Sequence, residues 1–471
     1  MGRGKRKPKI TNVEVFDIGS KGAAIGKTED GEVVLISGAV PGDQIEANLI
    51  RKKKGMWNGF VKSFRELSPD RVNPECSHFE ECGGCKWQNL NYKKQISLKE
   101  KMVYDAMDRI AKIQIGEKGS ILGCENIYYY RNKLEYTFSN NRWVTAAELN
   151  SDEIIEEKRA LGFHKPGKFD RILDIDHCHL QSTSSNDIRN FIRDTSKNLN
   201  YTFYNAKNKT GFLRNLIIRT TRTGDLMVIL IVGENDIESI ERLLNEVIQK
   251  FPEITSLQYV VNTKNNDTIF DLDVHLYKGD PYIKERLGDK IYQIGPKSFF
   301  QTNSYQAENL YNKVIEFGDF RQDEVVYDLY SGLGSIAIYA ANSVKKMIGV
   351  EEVEEAVSFA NINKTLNNSG NCHFYCGDVK EVLNTEFINR NGHPDTIIVD
   401  PPRAGLHANV TAFIKQLQPN KIIYVSCNPS TQARDLAIWD DEYKCTRMQP
   451  VDMFPHTSHV ENIALLIRKS Q

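Results

Sequence analysis

The sequence predicts a multi-domain α/β protein with an N-terminal OB-like β-barrel, an α+β middle section and a C-terminal parallel α/β domain. Three observations predict it. At 471 residues the chain is too long for one ordinary hydrophobic core. Residues 11–66 alternate in short apolar runs broken by turns, as in "EVVLISGAVPGDQIEANL" followed by "GMWNGFVKSF". From about residue 286, the apolar strands in "DEVVYDLYSGLGSIAIYAA", "KKMIGVEEV", "DTIIVDPPR" and "KIIYVSCNPS" alternate with helical stretches. Continuous apolar strands of that kind belong to a parallel sheet covered on both faces. The expected domains are 1–66, 67–285 and 286–471.

Residues 67–92 read as a cysteine-bearing loop. Residues 93–113 place Ile96, Met102, Val103, Met107 and Ile110 at helical spacing, which predicts a helix packed on the C-terminal domain. Residues 121–285 mix strands with shorter helices, and "RNLIIRTTRTGDLMVILIV" predicts a hairpin turning near Thr223–Gly224. "YYYRNKLEYTF" (Tyr128 to Phe138) reads as a strand with core aromatics.

Hydrophobic residues make up 40% and charged residues 26%, the balance of a soluble globular protein. No window approaches 18 uninterrupted apolar residues, and "MGRGKRKPKI" lacks the apolar segment of a secretory signal, so no membrane span and a cytoplasmic location are expected. Nine cysteines in such a chain point to metal binding or catalysis before disulfides. Net charge is −1, yet Arg3, Lys5, Arg6, Lys7 and Lys9, then Arg51 to Lys54, Lys62 and Arg65, make the N-terminal region basic. That predicts contact with nucleic acid phosphates. Trp57 and Phe60 either stack bases there or fill the barrel.

"CSHFEECGGCKW" sets Cys76, Cys82 and Cys85 in a C-x5-C-x2-C spacing, and Gly83 and Gly84 permit the tight turn that brings thiolates together. Cys178, in "DIDHCHLQ", is the best fourth ligand, with His177 and His179 as structural neighbours. Four cysteines suit zinc or an iron–sulfur cluster equally, and spacing does not choose.

In the C-terminal domain a strand leads through "DLYSGLG" into a helix, with Gly332 and Gly334 allowing close approach of a nucleoside. Glu351 closes the following strand, where a carboxylate accepts from ribose hydroxyls. The third glycine of the dinucleotide pattern is missing, so S-adenosylmethionine, which has a ribose and no pyrophosphate, is the better fit. Asp378 and Asp400 end the next two strands.

Cys427 ends the strand after that, in "IIYVSCNPSTQARDL". An activated thiolate attacks electron-poor carbon. Carbon 5 of uracil is a poor nucleophile until a thiolate adds at carbon 6, and a base must then take the carbon 5 proton. "FPHTSHVENIALL" offers His456, His459 and Glu461, of which Glu461 precedes a final apolar strand and should lie at the same edge of the sheet.

"FFQTN", "DLYSGLG", "DPPRAGLH", "SCNPSTQARDL" and "FPHTSHVE" together resemble the signature of the uracil-5 RNA methyltransferases. The C-x5-C-G-G-C run and the barrel resemble the branch that carries a TRAM domain and a [4Fe–4S] cluster and modifies 23S ribosomal RNA. The resemblance implies a Rossmann-like S-adenosylmethionine-dependent methyltransferase domain at 286–471. It implies Cys427 as nucleophile and Glu461 as proton acceptor. It implies Cys76, Cys82, Cys85 and Cys178 as cluster ligands, and Gln301, Tyr330, Glu351, Asp378 and Asp400 as cofactor-binding residues. Ser335 departs from the pattern, since relatives often have Asn there, and so is left outside the implied site. RNA is the implied partner and a monomer the expected state. Transfer RNA is the alternative substrate, although tRNA relatives usually lack the barrel and the cluster. An amino-methyltransferase would use "DPPR" and leave Cys427 idle, and a cytosine-5 enzyme would carry a different cysteine loop. A zinc-containing RNA-binding protein on an inactive methyltransferase fold would not need the cysteine, base and cofactor positions intact.

Overall fold

The computed structural model describes residues 9–19, 22–53, 55–151 and 156–470. Arg3, Lys5, Arg6, Lys7 and Lys54 lie outside the described residues.

Strands Lys9–Ile18, Ala24–Thr28, Val33–Ser37, Gln44–Lys53 and Met56–Glu66 close into a five-stranded barrel. Closure comes from pairing the first strand with both the second and the fourth. The alternation in sequence sends Val13, Val15, Val34, Ile36, Ile45, Ala47 and Leu49 inward. The two aromatics divide between their possible roles. Trp57 packs on this core, and its indole N–H donates to Glu32 Oε2 at 3.2 Å. Phe60 points outward and is 44% exposed.

A seven-stranded sheet follows, ordered His275–Gly279, Ser256–Val261, Leu226–Val232, Leu213–Thr220, Lys133–Ser139, Ala160–His164, Ile172–Asp174. The predicted hairpin is present: Leu213–Thr220 pairs antiparallel with Leu226–Val232, and Gly224 takes φ +92° in the turn. Helices Thr183–Asn198 and Ile237–Lys250 cover one face through Ile188, Ile192, Leu243, Leu244 and Val247. In the "YYYRNKLEYTF" segment Tyr130, Tyr136 and Phe138 are buried in this core and Tyr129 is exposed.

The C-terminal sheet has eight strands, ordered Cys372–Cys376, Lys346–Glu351, Val325–Leu329, Thr396–Val399, Lys421–Ser426, Glu461–Arg468, Tyr443–Val451, Ile115–Lys118. The first five are parallel, and Glu461–Arg468 runs antiparallel to its neighbours. Successive residues feed opposite cores. Val326, Ile398, Ile423 and Ile463 bury on one face, and Tyr327, Ile397, Ile422 and Ala464 on the other. Both faces are therefore apolar, as the unbroken strands require. Strand order reverses between Val325–Leu329 and Thr396–Val399, which opens a crevice at their carboxyl ends.

The helix read at 93–113 spans Tyr92–Ala106, continues as a π-helical turn over Met107–Ala111, and leads into strand Ile115–Lys118 at the edge of the C-terminal sheet. Its buried face differs from the predicted apolar stripe. Gln95, Leu98, Lys99, Val103 and Ala106 are buried, whereas Ile96 and Met102 are half-buried and Ile110 is 45% exposed. The polar members of that face bind the segment before Glu461. Lys99 Nζ donates to Asp452 Oδ1 at 2.6 Å and to the Phe454 carbonyl at 2.9 Å, and both charged side chains are fully buried. Breaking a buried pair leaves an uncompensated charge. Lys99→Met is expected to lower stability by about 3–5 kcal/mol, read as a lower urea midpoint at unchanged m.

Candidate active site

Three strand ends meet at the crevice. Asp400 follows Thr396–Val399, and Cys427 follows Lys421–Ser426. Pro429 starts the next helix, Pro429–Trp439, behind the Asn428 cap, so the chain must turn at Cys427. The Asn428 side-chain amide donates to the Arg403 carbonyl at 3.0 Å, and Thr431 Oγ1 donates to the same carbonyl at 3.3 Å, tying the cysteine loop to the "DPPR" loop. Glu461 is the first residue of its strand. Because that strand is antiparallel and Ser426 faces Asn462, its beginning lies at the carboxyl ends of the parallel strands, next to Cys427.

The electrostatics report the same grouping. Burial, then the Glu461 and Asp400 carboxylates, push the Cys427 thiol up to about 12, and Arg403 opposes them. Glu461 is 4% exposed. Burial and then Asp400 push its carboxyl up to about 8, again against Arg403. Burial pushes Asp400 up to about 7. The two histidines of "FPHTSHVE" differ in kind. Burial drives His456 down to about 4, its ring stacks on Tyr128 at 4.4 Å, and its Nδ1 lies 3.2 Å from Gln95 Nε2. Burial, then Arg403, drives His459 down to about 4.

The residues expected to hold a cofactor sit along the same edge. Glu351 Oε2 accepts from the Gly332 N–H at 2.9 Å and Oε1 from Val353 N–H at 3.0 Å, fixing the carboxylate under the glycine-rich turn. Tyr330 opens that turn at φ +67°, with its N–H on the Val350 carbonyl. Gly334 takes φ +73°, and a Cβ there would collide with the Phe374 ring. Asp378 caps helix Val379–Val382 and pairs with Lys380 at 2.8 Å. Gln301 is buried, and its carbonyl accepts from the Asn132 side chain. Two buried oxygens at the turn, Asp328 Oδ1 and Ser331 Oγ, have no hydrogen-bond partner.

Cys76, Cys82, Cys85 and Cys178 line one cavity of about 420 Å³. Burial raises all four thiols. The charge of Cys178 adds to the rise at Cys76, Cys82 and Cys85, as neighbours must. Among the described residues, no three His, Cys, Asp or Glu side chains converge tightly enough to hold a single metal ion. Arg403, Thr457 and His459 line the far side of the cavity, so it reaches the catalytic edge. The backbone joins the two as well: the N–H groups of Lys86 and Trp87 both donate to the His456 carbonyl, at 2.8 and 3.1 Å.

Residues 220–469 match the family model described as tRNA (uracil-5-)-methyltransferase. The chain is 48% identical to an uncharacterized RNA methyltransferase of Bacteroides thetaiotaomicron over 450 residues, 95% of this chain and 99% of the relative. The chain belongs to the uracil-5 RNA methyltransferase family. A second relative, an uncharacterized RNA methyltransferase of Porphyromonas gingivalis, is 46% identical over 98% of this chain and all of its own length. The Pyrococcus abyssi tRNA (uracil-54, C5)-methyltransferase, solved in complex with S-adenosyl-L-homocysteine, superposes with a TM-score of 0.73 at 28% identity. It covers 97% of this chain and 100% of its own. Among the described residues no helix is long and apolar enough to cross a membrane.

For this RNA methyltransferase, sequence reasoning passed over two groups at the edge. Arg403 stands in the quoted "DPPR" motif, and its influence falls on Cys427, Glu461 and His459 together. Asp328 is an acid inside an apolar strand, 1% exposed and pushed up to about 8 by burial and by Asp400. An ionisable residue within an otherwise apolar run was the signal available for it.

Proposed function

We propose that the chain methylates carbon 5 of a uridine in 23S ribosomal RNA, with S-adenosylmethionine as methyl donor and a covalent Cys427 adduct as intermediate. The observation that carries the reading is the meeting of one thiol, Cys427, with two raised carboxyls, Asp400 and Glu461, beside a glycine-rich turn. Cys427 adds through sulfur to carbon 6, and the ring electrons pass to the carbon 4 carbonyl, which makes carbon 5 nucleophilic. The free thiol is held protonated, so it must shed its proton as substrate binds; Asp400, which faces it, is the acceptor, and that leaves Glu461 free for the carbon 5 proton. S-adenosylmethionine, when bound, supplies the methyl group. Glu461 then takes the carbon 5 proton, the carbon–sulfur bond breaks, and Cys427 is released with the ring double bond restored.

Glu351, Tyr330, Asp378, Asp400 and Gln301 would hold the cofactor. The unpartnered Asp328 and Ser331 oxygens support a polar ligand at that turn. Cys76, Cys82, Cys85 and Cys178, which line one cavity, would hold a [4Fe–4S] cluster. The cluster would hold the 76–87 loop against the catalytic segment, a structural task. Protein purified without oxygen is expected to carry about four irons and four sulfides per chain, and Cys85→Ser to lose them.

The barrel, the central region and the catalytic domain would divide RNA binding from chemistry at about residues 66 and 285, with Phe60 and Lys62 on the RNA-facing side of the barrel. The uracil must leave its stack to reach Cys427, at a few kcal/mol, so a single-stranded loop is the favoured target. Transfer RNA is the second reading. It is favoured by the P. abyssi tRNA enzyme, whose match covers 97% of this chain. The test is covalent trapping with 5-fluorouridine-substituted 23S ribosomal RNA or transfer RNA in the presence of S-adenosylmethionine. Fluorine cannot leave carbon 5 as a proton, so the adduct should persist through denaturing gels. An adduct with ribosomal RNA supports the proposal, and an adduct with transfer RNA alone supports the second reading. Bound RNA with no adduct would overturn both.

A further inference from the structure

Ser335 follows Gly334 directly and is half-buried at the crevice. Two buried tyrosines fix it. Tyr292 donates its hydroxyl to the Ser335 carbonyl at 3.0 Å, and the Tyr311 hydroxyl lies 2.9 Å from Ser335 Oγ. Tyr311 comes from helix Ser304–Gly318, outside the glycine-rich turn, and is 2% exposed. Its phenol is raised above its usual range by burial and by Asp400, Asp328 and Glu461, so it stays protonated and can donate.

That matters for a serine. Its hydroxyl is a free rotor with one proton and two acceptor pairs. A phenol donating into Ser335 Oγ fills one acceptor position and leaves the serine proton to point elsewhere. Two buried oxygens without a hydrogen-bond partner are near in the chain: Ser331 Oγ in the glycine-rich turn and Asp328 Oδ1 in the strand that leads into it.

We propose that Tyr311 is a positioning residue for S-adenosylmethionine: it donates to Ser335 Oγ and so aims the Ser335 hydroxyl at an acceptor atom of the bound cofactor. The inference rests on the cofactor site proposed above. It brings Ser335 into that site and gives it a partner that no motif contains. Removing the hydroxyl here leaves the ring and its packing against Tyr339 (centroids 5.7 Å apart) in place, so Tyr311→Phe is expected to fold.

The experiment is calorimetric titration of S-adenosylhomocysteine into the full chain, with steady-state kinetics on the same variants. Tyr311→Phe and Ser335→Ala are each expected to raise Kd roughly tenfold. The KM for S-adenosylmethionine should rise with it, while kcat and the KM for RNA stay near wild type. The double variant should bind no worse than Ser335→Ala alone, because the tyrosine acts through the serine. Ser335→Asn in the Tyr311→Phe background should restore affinity, since an amide donor needs no partner to orient it. A Kd for Tyr311→Phe within twofold of wild type overturns the inference. Losses that add in the double variant, with a lowered Tm, also overturn it, because they show a packing role. Wild type that binds no S-adenosylhomocysteine would instead overturn the cofactor site itself.

Discussion

Cys427→Ala is expected to lower uridine methylation by about 10⁴-fold or more, with RNA affinity and Tm near wild type. The size follows from what the thiol does. Without addition at carbon 6, carbon 5 has no electron density to offer, and Cys427 is the thiol that meets Glu461 and Asp400. The stability side follows from position. Cys427 lies between a strand and a proline-started helix, is partly exposed, and holds together no core. Turn geometry belongs to Asn428 and Thr431, which bind the Arg403 carbonyl and are untouched. The checks are methyl incorporation from labelled S-adenosylmethionine, trapping by 5-fluorouridine RNA, and a filter-binding isotherm. Methylation within tenfold of wild type would remove the thiol from the mechanism. Equal loss of RNA binding would make it a structural residue.

Much of this edge was legible before any coordinates because a parallel sheet imposes it. Strands that are apolar throughout must be covered on both faces, and their carboxyl ends must then share one edge. Glu351, Asp400 and Cys427 therefore stood together by order alone. Glu461 was legible for a subtler reason, as the first residue of a last apolar strand, which only an antiparallel placement brings beside Cys427. What stayed hidden depends on partners remote in sequence. Lys99 and Gln95 lie outside the apolar stripe that the spacing predicts. They are buried because Asp452 and His456, more than 350 residues away, receive them. Nothing in the helix that carries Tyr311 announces the Ser335 hydroxyl. Trp57 and Phe60 could not be separated by composition, because three residues along a twisted strand decide which one the barrel takes in.

Glu461→Gln separates the two halves of the reaction. Addition by Cys427 does not require a base at carbon 5, but release of the enzyme does. The variant is expected to turn over about 10²–10⁴-fold more slowly and to accumulate a gel-stable adduct with ordinary uridine RNA, without fluorine. The pH dependence should carry the same signature. Burial and Asp400 push Glu461 up to about 8, and burial puts Asp400 at about 7, so the two release protons as a coupled pair across that window. An acid raised in this way keeps its proton at pH 6 and cannot accept another. Resolution of the adduct should therefore speed up as pH rises from 6 through about 8 and level off above. Single-turnover decay of a preformed adduct isolates this limb from titration of the thiol, which acts earlier. A side-chain amide at this position has no proton to lose in that range, so the limb should vanish in Glu461→Gln. Adduct decay that is independent of pH in wild type, or a Glu461→Gln enzyme that leaves no adduct, would move the base to another group. His459, neutral near physiological pH and on the wall of the same crevice, would be the next to substitute.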